Sequence, residues 1–117
     1  MSFNPKKSLR ILVELDSPHY VTFNMWYKKP GDSKWTPFAG GKDDDSAQFS
    51  NHGYEIGMVP KGTILYYFFH FAGHKDSAYS ATITLVQDDT RVARPTVFKG
   101  TTDVRGLAKK EKEVTLS

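Results

Sequence analysis

Short segments in which apolar and polar side chains alternate with a step of two recur along this chain, and that period sets its structural class. Successive side chains of an extended strand point to opposite faces, so a period of two marks a strand with one face on a core. Ser8 to Leu15 puts Leu9, Ile11, Val13 and Leu15 on one face. Tyr20 to Lys28 does the same with Val21, Phe23, Met25 and Tyr27, leaving Tyr20, Thr22, Asn24, Trp26 and Lys28 on the other side. Tyr79, Ala81, Ile83 and Leu85 alternate with Ser80, Thr82 and Thr84. Thr63 to Ala72 carries Tyr and Phe on both faces, as expected of a central strand that is either buried between layers or bordered by an aromatic surface.

Turn chemistry separates these segments. Lys29-Pro30-Gly31-Asp32 is a tight reversal in which Pro sets a negative φ and Gly accepts a positive one, and it returns Trp35 to Phe38 as a strand that Pro37 confines to an edge. Ala39 to Ser46, with its two glycines and the run Asp43-Asp44-Asp45, reads as loop. Ala47 to Val59 alternates through Tyr54, Ile56 and Met58, with a bend or hairpin tip expected at Asn51-His52-Gly53; Pro60-Lys61-Gly62 is the next turn. Thr63 to Ala72 and Tyr79 to Gln87 are expected to pair as a hairpin across Gly73 to Ser77. Arg91 to Phe98 is expected to add a strand despite Pro95, Val104 to Glu111 a helical turn or two, and Glu113 to Leu116 a closing strand.

Seven to eight short strands with turns between them predict an all-β fold, an antiparallel β-sandwich of immunoglobulin-like or jelly-roll-like type, formed by residues 1–117 as a single domain. The chain has 117 residues, enough to bury a two-layer core without a metal or disulfides. It contains no cysteine, which removes disulfides, thiolate nucleophiles and cysteine zinc sites together. Its longest apolar run, Ile64 to Phe69, is far too short for a membrane-spanning helix. The first residues, Met1-Ser2-Phe3-Asn4-Pro5-Lys6-Lys7, lack the pattern of a secretory leader, so the expected location is cytoplasmic, or outside the cell by a route without a classical signal peptide. A formal charge of +3 favours an acidic partner only weakly.

No residue pattern points to catalysis. A Gly-x-Ser-x-Gly elbow is absent, Ser33 has no histidine nearby in sequence, and Gly41-Lys42 is followed by Asp43 where a phosphate loop needs Ser or Thr. His70 and His74 have the spacing of a zinc-protease pair, but that pair needs a helix and a glutamate, and neither is in the pattern here. Asp43 to Asp45 supply oxygens suited to calcium, yet a solvated acidic loop explains them as well. The expectation is a protein that is not an enzyme and uses no cofactor or metal.

The aromatic content is the functional signal. Six Tyr, eight Phe and two Trp stand in a short chain, and Trp26 and Trp35 flank one turn, on neighbouring strands. A flat ring packs on the C–H face of a sugar or on a nucleobase while nearby polar groups hold hydroxyls. The competing reading puts the same rings in the sandwich core. In general outline the arrangement resembles immunoglobulin-like sugar-binding modules, a resemblance that carries no individual residues over.

These readings combine into a non-catalytic, lectin-like binding module with carbohydrate as the favoured ligand, in which Trp26, Trp35 and Tyr54 stack and Asn24, Lys42, Asp43 and His74 make polar contacts. A protein-interaction or self-assembling subunit, a homo-oligomer included, is the alternative. Single-stranded nucleic-acid binding comes third, because acids are interleaved with the basic residues.

Overall fold

A computed structural model describes residues 3–16, 20–40 and 50–117. Within them the chain forms nine strands: β1 (Leu9–Asp16), β2 (Tyr20–Lys28), β3 (Thr36–Ala39), β4 (Ser50–Gly57), β5 (Ile64–Ala72), β6 (Ala78–Gln87), β7 (Thr90–Arg91), β8 (Thr96–Thr101) and β9 (Leu107–Thr115). They build two antiparallel sheets packed face to face as a β-sandwich. The first has the order β4-β1-β6, with β7 and β8 both pairing the far side of β6. The second has the order β3-β2-β5-β9. Among the described residues there is no helix.

Alternation builds the core as the sequence predicts. Leu9, Ile11, Val13 and Leu15 from β1 and Tyr79, Ala81, Ile83 and Leu85 from β6 face Val21, Phe23 and Met25 from β2 and Leu65, Tyr67, Phe69 and Phe71 from β5, all of them buried. Rings join the layers: Phe71 stacks on Tyr79 at 4.2 Å, and Phe69 meets Phe98 edge to face at 5.4 Å. Each large side chain removed from water in this way contributes roughly 1.5–3 kcal/mol.

The Lys29–Asp32 turn closes with the Asp32 amide donating to the Lys29 carbonyl at 3.0 Å, and Gly31 takes φ +86°. It joins β2 to β3, which is an edge strand containing Pro37, as expected. β5 lies inside its sheet, hydrogen-bonded to β2 on one side and β9 on the other.

Three local expectations are corrected. β5 and β6 are not a hairpin; they lie in different sheets, because both carry a fully apolar face and those faces pack on each other across the layers. Their connection is pinned from outside by Thr102, whose hydroxyl donates to the His74 carbonyl at 2.5 Å and accepts from the Ser77 amide at 3.1 Å. Asn51, His52 and Gly53 make no bend, since they pair in unbroken register with Glu14, Val13 and Leu12 of β1. Finally, Leu107 to Glu111 is strand where a helical turn was expected. Only Val104 to Gly106 turns, and β9 then pairs with β5 over the whole stretch from Ala72 to Ile64. Among the described residues nine strands are thus present, against the seven to eight read from the sequence. The loop expected over Ala39 to Ser46 lies, from residue 41 on, outside the described residues.

Candidate functional site

The outer face of the second sheet collects the rings that alternation leaves out of the core. Because β2 and β5 pair directly, the outward residues Tyr20, Thr22, Asn24, Trp26 and Lys28 stand opposite Ala72, His70, Phe68, Tyr66 and Ile64. β9 extends the face with Leu107, Lys109, Glu111, Glu113 and Thr115. Side chains opposite one another in an antiparallel pair share a face at about 4.5–5.5 Å between Cβ atoms, so long rings must touch.

They do. Trp26 stacks on Tyr66 with centroids 5.3 Å apart and 22° between the planes. Trp35, one residue before β3, tilts against the same Tyr66 at 5.9 Å, and the Lys28 ammonium sits 5.6 Å above the Trp35 ring. Trp35 remains 37% exposed and Tyr20, further along β2, 60%. The Tyr66 hydroxyl donates to a Glu111 carboxylate oxygen. That bond favours the protonated phenol and holds its pKa above the ordinary tyrosine range, with partial burial and the charges of Glu111 and Glu113 adding to the effect.

Against known proteins, the chain matches no family model, no curated protein and no solved structure.

Charge on this face is balanced, Lys28 and Lys109 against Glu111 and Glu113. His70 lies between Thr22 and Lys109, and its Nε2 is buried without a hydrogen-bond partner, the single such side-chain atom among the described residues. An unpaired buried polar atom is a cost that native structures seldom carry.

Of the residues singled out from sequence, Trp26, Trp35 and Asn24 come together here. Tyr54 does not join them. It pairs with Ile11 in the first sheet and points inward, edge-on to Phe23 at 6.2 Å and to Phe38 at 6.4 Å, because it belongs to the core-facing set of β4. His74 is exposed in the β5–β6 connection, at the opposite end of the second sheet from Trp35. Lys42 and Asp43, with the rest of the acidic run, lie outside the described residues. Sequence reasoning left Tyr66, Phe68, Lys28 and Glu111 out of the site. Alternation places Tyr66 and Phe68 on the outer face of their strand, but their neighbours follow only from the β2–β5–β9 pairing.

Among the described residues, a shallow hollow of about 340 Å³ lies at the β9 side of this face, lined by Asp103, Arg105, Leu107, Ala108 and Lys109. Another of about 230 Å³ sits at an end of the sandwich between Phe3, Val92 and Leu116. No group of three or more His, Cys, Asp or Glu among the described residues is placed to hold a metal ion. Among the described residues no helix is long and apolar enough to cross a membrane.

Proposed function

We propose that the protein is a non-catalytic carbohydrate-binding module that uses the outer face of its second sheet. The observation that carries this reading is the ring cluster of Trp26, Tyr66 and Trp35, which leaves indole surface open to water with Asn24, Lys28 and Glu111 around it. An exposed ring on a flat, rigid strand face loses little entropy when a sugar's C–H face settles on it, and the polar groups beside it suit hydroxyls, which both donate and accept. Binding of this kind needs ring contact and hydrogen bonds, with no bond made or broken.

The balanced charge favours this ligand over a nucleic acid, whose phosphates would meet Glu111 and Glu113 along with the lysines. The test is a glycan array and affinity electrophoresis in polysaccharide gels, comparing the native chain with Trp35→Ala. Retarded migration that Trp35→Ala abolishes while its circular dichroism stays unchanged is the expected result. Retardation that survives the substitution would place the binding elsewhere.

A further inference from the structure

Tyr20 is the most exposed ring of the second sheet, and the proposed function does not use it. It stands on the same face of β2 as Trp26, six residues away, which at 3.4 Å per residue separates the two by about 20 Å. Between them β2 presents Thr22 and Asn24 on this face, with His70 and the ring of Phe68 opposite them on β5. Two separated stacking points joined by a floor of Thr22, Asn24 and the Phe68 ring are more than a single sugar needs.

The charges point the same way. Lys28 leans on Trp35, Glu111 accepts from Tyr66, and the outward lysines and glutamates of the face cancel, so the surface complements a ligand without net charge. Resting on the carbohydrate reading above, we infer that the ligand is an extended neutral polysaccharide chain running along β2 and β5, held at one end by Trp35 and Tyr66 and at the other by Tyr20.

Calorimetry with neutral gluco- and manno-oligosaccharides, from monosaccharide to hexasaccharide, tests this in the whole chain. Affinity climbs with length until one chain reaches both ring sites. Tyr20→Ala then weakens the hexasaccharide about tenfold while leaving the disaccharide unchanged, Tyr20→Phe restores the loss, and Trp35→Ala weakens every length. Because Tyr20 lies outside the core, its variants fold; an unchanged thermal transition checks this.

Affinity that does not depend on length, or a Tyr20→Ala variant equal to the native chain on the hexasaccharide, overturns the extended site while leaving the Trp35 site standing. Tighter, salt-sensitive binding of polyuronate fragments overturns the neutral class alone. No binding of any sugar, together with a concentration-dependent mass in sedimentation that Tyr20→Ala abolishes, assigns the face to a second copy of the chain and overturns both proposals.

Discussion

The amide of Gly73 donates to the carbonyl of Gly106 at 2.9 Å, joining the β5–β6 connection to the turn before β9. Gly106 has φ +78°, and a Cβ built on it would collide with the carbonyl of Gly73. Two glycines far apart in sequence thereby close one end of the sandwich, the end nearest Tyr20.

Gly106→Ala therefore carries two costs, a left-handed backbone worth about 1–3 kcal/mol and a backbone collision on top of it. Gly31→Ala supplies the control, since Gly31 has φ +86° with open space around it and carries the first cost alone. Urea unfolding of the two variants is expected to show Gly106→Ala as the more damaging. Equal losses would mean that the contact with Gly73 relaxes freely.

Neighbouring phenylalanines of β5 are expected to behave in opposite ways. Phe69 is fully buried, stacked on Phe23 at 5.0 Å and touching Phe98, so Phe69→Ala is expected to lower stability by about 3–5 kcal/mol. Phe68 lies on the outer face, only partly covered, and Phe68→Ala is expected to cost much less in denaturant unfolding while weakening sugar binding. A Phe68→Ala loss as large as that of Phe69→Ala would contradict the assignment of faces.

The Tyr66–Glu111 bond gives the face a signature at high pH. Because the folded pKa of Tyr66 is raised, the stability it contributes is fully present below the unfolded tyrosine value of about 10 and is lost as pH rises through the folded value. In an absorbance titration of the phenols, followed only while circular dichroism reports a folded chain, Glu111→Gln is expected to bring one tyrosine down towards the ordinary range. Identical curves for the two proteins would show that the bond does not persist in solution.

Among the described residues strand β9 is an open edge, and its own lysines guard it. Lys110 and Lys112 stand opposite Phe69 and Tyr67 on the core-facing side of the ladder, yet both are exposed. Inward-pointing charge of this kind blocks strand addition. Lys110→Ile combined with Lys112→Val is expected to raise the mass in concentration-dependent sedimentation above that of the native chain. A double variant that sediments like the native chain would remove that role.

How far the sequence reaches can be read strand by strand. The faces of β1, β2, β5 and β6 follow from alternation alone, since each carries four or so core residues at a step of two. The edge position of β3 follows from Pro37 and the first turn from Pro30-Gly31, because both residues restrict the backbone locally. Partnership is another matter. β5 and β6 look like a hairpin because a short turn joins them, and only the packing of two apolar faces sends them to separate sheets. β9 shows little alternation, its Lys109-Lys110-Glu111-Lys112-Glu113 run being solvated on both sides, and pairing with β5 makes it a strand. The candidate face divides in the same way: Trp26 and Asn24 share a face by alternation, whereas Tyr66 and Glu111 reach it through contacts distant in sequence, and Tyr54 is lost to the core because its strand packs in the other sheet.

Binding to the outer face of the second sheet is the claim from which the functional account follows, and amide and indole chemical-shift mapping by NMR addresses it directly. With a neutral hexasaccharide as titrant, the account predicts shifts confined to β2, β5 and β9 and to the indole N–H groups of Trp26 and Trp35. Shifts confined to β1, β4 and β6, or a spectrum that no neutral glycan moves, would contradict it.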